Sequence, residues 1–380
     1  MDAFTEHRGP AEYFHGRTEI IKHFVHALEH YRNRGKGTTF LIKGPPGAGK
    51  TALLTKLAEH ADDIGYAVKD TVSPSDLYVP EDMEATLGVE YTSRKELGAH
   101  VDAKIAGVSG KKELTQSSAV VHIVQKAAHG NGLLLVLDEA QHLAELVTPE
   151  AVKVATMNTL DKIHNGKVGL PVFLLAGGLG TTELAFESLG VSRFEDTHRV
   201  RLGALGHTST CAVIHDHLCH SCGMKNPPTE WIESLAEQSQ GWPHHMMSCI
   251  ESVKSTLAQA GGDPTKVHLK QILVKGEARM SAYYQARAHG ISRKQRVLLA
   301  SLFTDLHPGE SVDKEDVIEV LETEYPSEVA QDVFTRALRQ GVLDEREDGD
   351  FAVPIPSMHT WLVRSYAKER QPQKLAKKFV

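Results

Sequence analysis

"TTFLIKGPPGAGKTALLTKLAEHA", Thr38–Ala61, is the stretch that decides the fold. Thr38–Ile42 is β-branched and apolar, the pattern of a buried strand. Gly44, Pro45, Pro46, Gly47, Ala48, Gly49, Lys50 and Thr51 then satisfy G-x-x-x-x-G-K-[ST] in full. Behind them Leu53, Leu54, Leu57 and Ala58 recur at helical spacing. Strand, glycine turn and helix in this order make a phosphate cradle. The glycines let backbone N–H groups curl around a β-phosphate at the positive end of the helix. Lys50 supplies a cation to the β- and γ-phosphates, and the Thr51 hydroxyl is a Mg²⁺ ligand. A glycine-rich turn can exist without a nucleotide, but the complete motif in its strand and helix context predicts ATP with Mg²⁺.

The second signal is "NGLLLVLDEAQHL". Gly132–Leu137 is an uninterrupted apolar run, as in a central parallel strand covered on both faces. Asp138 and Glu139 follow at its C-terminal end, where open α/β sheets bind ligands. Asp138 is the candidate to hold Mg²⁺ through water, and Glu139 to polarise the attacking water. The alternative is that the pair only caps the next helix. A third strand, "LPVFLLAGG", a short helical piece at Thr182–Glu187 and a fourth strand at His198–Leu202 complete the alternation. This order predicts a doubly wound, parallel-sheet α/β core.

Composition bounds the rest. A chain of 380 residues, 41% hydrophobic and 24% charged, is ordinary for a soluble protein of two or three domains. No apolar run nears the ~20 residues that span a bilayer, so no membrane association is expected. "MDAFTEHRGP" has neither the basic nor the apolar region of a secretory leader. Cys211, Cys219, Cys222 and Cys249 are too few and too clustered for a disulfide framework, which points to a reducing cytoplasm. The net charge of −7 argues against a chain that coats nucleic acid constitutively and leaves regulated or weak contact open; any basic face must be local.

These motifs together resemble the AAA+ ATPases, in the additional-strand class of P-loop proteins and closest to initiator-type and transposition-helper ATPases. The likeness covers about residues 12–290. "FHGRTEIIKHF", Phe14–Phe24, is similar to the box that packs near adenine, which makes Arg17 a candidate nucleotide contact. "LDEAQHL" matches the second motif, including the Gln141 common in transposition helpers. "LGVSRFEDTHRVRLGAL" resembles the arginine-finger segment, so Arg193 is its candidate, with Arg199 and Arg201 behind it. Such a finger implies ATP-dependent self-assembly; the other reading of Arg193 is a solvated surface residue. "EQSQGWPHHMMSCI" is similar to the lid motif, with His244 and His245 where relatives carry an arginine. The third strand ends in Ala-Gly-Gly-Leu-Gly, where many relatives place a polar γ-phosphate sensor, leaving Thr181 and Thr182 as substitutes. Both departures fit slow hydrolysis.

The expected domains are a P-loop ATPase core at 1–205, a helical lid at 206–289 and a winged helix-turn-helix at 290–380. In the lid, "HDHLCHSC" (215–222) offers C-x-x-C spacing with histidines, which suits zinc. No distant second ligand pair accompanies it, and the ordinary account is a helix end with buried thiols and exposed imidazoles. In the last module three helices precede an Asp-Gly hairpin, Val342–Phe351. The third helix presents Thr335, Arg336, Arg339 and Gln340 for a major groove. Yet residues 291–380 hold 13 Lys/Arg against 16 Asp/Glu, and the hairpin carries five of those carboxylates. DNA affinity depends on basic side chains, so contact is expected from the third helix, the basic tail "AKERQPQKLAKKF" or the Lys111–Lys112 loop. That loop lies in an insertion with a helix expected at Ser93–Ile105.

The resemblance implies an ATPase that assembles on DNA or with DNA-bound partners. The alternative is a nucleotide-gated switch that holds a partner protein without DNA. A metabolic kinase is a poor third reading, because the expected lid and winged helix leave no obvious domain for a small acceptor.

Overall fold

A computed structural model describes residues 13–70, 72–89, 119–147, 150–164, 169–180, 182, 186, 197–346 and 348–366. Arg193, Thr181, Glu347, Lys111, Lys112, the 93–105 helix and the basic tail after Tyr366 lie outside the described residues. The chain divides into two compact units. One takes in Arg17–Lys43 and Lys50–Leu202. The other takes in Glu12–Gly16, the glycine loop Gly44–Gly49 and the chain from Gly203 onward.

The first unit is a five-stranded parallel sheet in the order β2-β3-β4-β1-β5. Its strands are β1 (Thr38–Lys43), β2 (Ala67–Lys69), β3 (Leu133–Leu137), β4 (Val172–Gly178) and β5 (His198–Arg201). β3 and β4 are buried at every position, which is what their unbroken Leu/Val runs require. β5 is only partly covered, an edge strand whose Arg199 faces solvent. β4 lies between the strand leading into the glycine loop and the strand ending in the acidic pair. This is the additional strand that the resemblance implied. Leu41 meets Ala176 in register, and Leu137 meets the same residue from the other side.

Helices α1 (Thr18–Arg34), α2 (Lys50–Asp63), α3 (Pro80–Leu87), α4 (residues 119–127) and α5 (Glu150–His164) surround the sheet, with a 3₁₀ segment at Ala140–Val147. α2 buries Leu53, Leu54, Leu57, Ala58 and Ala61, the stripe read from the sequence. A second stripe comes from α4, whose Val120, Ile123, Val124 and Ala127 join Leu133, Leu135 and Leu174 in one core.

The second unit is mainly helical: α6 (His207–Asp216), α7 (Thr229–Ser239), α8 (Pro243–Gln259), α9 (Leu269–Arg287), α10 (Arg293–Leu302), α11 (Lys314–Glu322), α12 (Ser327–Arg339) and α13 (Pro356–Tyr366). Its first four helices share a core of Val213, Ile214, Trp231, Leu235, Ile250 and Ile272. α10–α12 lead to an antiparallel hairpin, β6 (Asp344–Glu345) and β7 (Phe351–Ala352), and Val312 adds a bridge to Phe351. α12 closes at Gly341, whose φ of 67° places it in the left-handed region that glycine tolerates. In the hairpin, Arg346 N–H donates to the Asp350 carbonyl at 2.7 Å, and Gly349 turns the chain with φ 89°. Among the described residues, no helix is long and apolar enough to cross a membrane.

Candidate nucleotide site

In the first unit, the end of β3 is brought to the first turn of α2. The Thr51 hydroxyl donates to Asp138 Oδ2 at 2.6 Å, and the Glu139 N–H donates to Asp138 Oδ1 at 2.9 Å. Asp138 is thus oriented by both neighbours, with its carboxylate shared between them. Glu139 has φ 53°, a left-handed conformation that costs a non-glycine residue about 1–2 kcal/mol. Such strain persists only where the surroundings over-determine it, and it concentrates at working sites. Here the next contact is Gln141, whose side-chain amide donates to Glu139 Oε2 at 2.5 Å. Gln141 Oε1 in turn accepts from Leu179 N–H at 3.2 Å, tying the acidic pair to the end of β4. Lys50 is buried at 8% exposure.

The donor set can be tested for Mg²⁺. Thr51 and Asp138 are hard oxygen donors in contact, the type this cation selects. Next to them Gly177 and Gly178 have no space for a side chain: a Cβ would run into Leu54 at the first and Thr182 at the second. Thr182 is fully buried, and among the described residues its hydroxyl has no hydrogen-bond partner. The bare glycine backbone lets Leu54 and Thr182 pack closely against the end of β4, beside Asp138. Arg17 starts α1 in the left-handed region with φ 60°, and burial holds its guanidinium pKa below the ordinary value.

In the second unit, the glycine loop is covered on its carbonyl side. Trp242 Nε1–H donates to the Pro46 carbonyl at 3.3 Å, and His244 N–H donates to the Gly47 carbonyl at 3.2 Å. Gly47 and Gly49 take φ 76° and 86°. A Cβ on Gly47 would strike His244, and a Cβ on Gly341 would strike the Pro46 ring. His244 stacks on Tyr283 with centroids 3.9 Å apart, and the Arg287 guanidinium lies 5.2 Å from the same ring.

Residues 32–183 match the AAA domain family. The AAA domain match therefore contains the glycine loop, the acidic pair and β4. No curated protein matches the chain by sequence. Among solved structures, the Aeropyrum pernix ORC2 protein in ADPNP–ADP complexes is similar, with TM-score 0.54 and 12% identity over 97% of this chain and 98% of that one. Its ADP form gives TM-score 0.56 and 14% identity over 95% and 97% of the two chains. At these identities the likeness establishes the fold: a P-loop AAA+ core with a helical C-terminal region.

Two positions are sharpened by the structure. Of the His244–His245 doublet, which stands where relatives carry an arginine, one member is buried. His245 is 0% exposed, and its Nε2 meets the Tyr284 hydroxyl at 3.1 Å. Burial, with His244 beside it, pushes its pKa down to about 3, while the Ser239 backbone works the other way. His245 is therefore neutral in the fold at ordinary pH. In the 215–222 patch, His217 is buried against Tyr13 instead of exposed, and α6 widens into a π-helical turn at His217–Ser221. Cys219 and Cys222 are half-buried, and burial raises Cys222 to about 11.

The His245 environment predicts a pH effect with a definite sign. The unfolded chain binds this proton near 6.5, whereas the folded chain binds it only near 3. Stability is then full above pH 6.5 and falls as the pH drops toward 3. Between pH 7 and 5 the wild type should lose about 2 kcal/mol more than His245→Phe, read from urea midpoints. His359, also lowered by burial, is common to both proteins and cancels. Parallel pH profiles would remove the assignment.

Proposed function

We propose that the chain is a slowly hydrolysing AAA+ ATPase that assembles, when ATP is bound, on DNA or with DNA-bound partners in the cytoplasm. The observation that carries this reading is the Thr51–Asp138 hydrogen bond beside a strained Glu139. Within the proposed core (1–205), lid (206–289) and winged helix (290–380), each residue has one task. Gly44–Gly49 surround the phosphates, Lys50 neutralises them, and Thr51 with Asp138 holds Mg²⁺. Glu139 accepts a proton from the attacking water, and Gln141 positions Glu139. Bound Mg²⁺ would offset charge on the β- and γ-phosphate oxygens. Arg17 faces the base, and Arg193 completes a neighbour's site. A buried neutral His245 in the lid, and a third strand ending in glycine, support slow turnover. Four free thiols support a reducing compartment.

One observation favours the alternative of a DNA-independent switch. Arg336, the most central base of α12, donates to the Gly290 carbonyl at 2.7 Å and pairs with Asp332. Of the four groove candidates, Thr335 and Arg339 remain exposed. Asp344 of the acidic hairpin is buried, so the hairpin is a less charged surface than its sequence implies.

Size-exclusion chromatography of wild type, Lys50→Ala and Arg193→Ala, with and without ATP·Mg²⁺ and duplex DNA, separates these readings. Wild type should assemble with ATP while both variants remain smaller. Assembly indifferent to duplex DNA supports the switch. A wild type that stays the same size throughout sinks the arginine-finger assignment.

A further inference from the structure

One group in the second unit is untouched by the nucleotide chemistry. His207 and Cys211 lie four residues apart on α6, so they share one face of the helix. Glu233 reaches them from α7. The His207 Nε2 to Glu233 Oε2 distance is 2.8 Å, and Cys211 Sγ lies 3.6 Å from the same Nε2. All three donor atoms fall within 4.8 Å of one another, and among the described residues no other group of three His, Cys, Asp or Glu does so.

We propose that His207, Cys211 and Glu233 form a zinc site that joins α6 to α7. Zinc bonds near 2.05 Å to nitrogen and 2.3 Å to sulfur at tetrahedral angles put the two atoms about 3.6 Å apart. The Cys211–His207 pair already has that separation. The nitrogen and carboxylate oxygen need about 3.4 Å on the same geometry. Their 2.8 Å hydrogen bond must open slightly, which an exposed glutamate permits by rotation. An imidazole, a thiolate and a carboxylate are a donor set that zinc accepts and that calcium or magnesium does not. Three protein ligands leave the fourth position to water. On binding, the thiol proton passes to solvent and the sulfur bonds the metal. The neighbouring His215–Cys219 pair has the same helical spacing and a 3.6 Å contact, and Asp216 lies 3.1 Å from His215, but among the described residues no third donor comes within 4.8 Å of both members. It therefore serves as an internal control.

The test uses the full-length metal-free protein, titrated with Co²⁺ in a phosphine reductant and then with Zn²⁺. One equivalent of Co²⁺ should give thiolate charge-transfer absorption in the near ultraviolet and strong four-coordinate visible bands, both erased by one equivalent of Zn²⁺. Cys211→Ser should abolish the charge-transfer band. His207→Ala and Glu233→Gln should weaken Co²⁺ at least about tenfold, a loss that even outer-shell partners can cause. Cys219→Ser and Cys222→Ser should leave spectrum and affinity unchanged. A band that survives Cys211→Ser, a loss confined to the 219 or 222 variant, or no cobalt retained at all would overturn the site. All substituted side chains are exposed or half-buried, so folding is preserved, and circular dichroism checks it.

Discussion

Glu139→Gln should keep its nucleotide and lose its turnover, with kcat falling about 10³-fold, the middle of the range for a displaced general base. The amide has the size of the carboxylate but cannot take a proton from water. The left-handed backbone at φ 53° and the hydrogen bond from Gln141 hold the side chain in one place, so the variant changes basicity more than position. Asp138 keeps its contact with Thr51, and nucleotide affinity should stay within about threefold of wild type. Single-turnover phosphate release and fluorescent-nucleotide titration read the two quantities separately. Residual turnover within threefold of wild type would remove Glu139 from the reaction. Glu139→Gly is a second probe: it should be equally inactive, yet more stable, because glycine adopts the same φ without the penalty.

Gly241→Ala should cost about 3 kcal/mol of stability, from two sources that can be separated. Its φ of 70° penalises any side chain by about 1 kcal/mol. A Cβ there would also press into the Leu205 backbone, whose N–H donates to the Gly241 carbonyl at 2.8 Å. Overpacking against a backbone that cannot move aside adds about 1–3 kcal/mol. Gly261 supplies the comparison, since it has the same φ of 70° and nothing within 4 Å of its missing side chain. Gly261→Ala should therefore lose only the conformational part. Equal urea midpoints for the two variants would show that the Leu205 contact is unimportant.

Much of the core was legible because its signals are local. Apolar runs without a polar break mark β3 and β4, and one contiguous octet marks the phosphate loop. What was missed depends on facing. The buried residues of α8 include His245, Met246, Cys249, Ile250 and Val253. This helical stripe puts one histidine of the doublet inside, which the adjacent pair of letters does not reveal. Arg336 looked available because its partners, Asp332 one turn back and the Gly290 carbonyl 46 residues away, act through the fold. The zinc candidate escaped for a similar reason. His207 and Cys211 show one-turn spacing, but Glu233 joins them only through the packing of α6 on α7. The C-x-x-C at 219–222 was louder in sequence and weaker in space.

The cover over the glycine loop limits how that octet could change. Pro46 touches Gly341, its carbonyl is occupied by the Trp242 indole, and the Gly47 carbonyl is occupied by the His244 amide. These contacts come from points about two hundred to three hundred residues further along the chain. The octet is therefore not a portable cassette. Transplanting another protein's phosphate loop here would carry over the glycines and the lysine but would lose the fit of Pro46 against Gly341. A successful exchange would have to move positions 46, 242 and 341 as one inherited block.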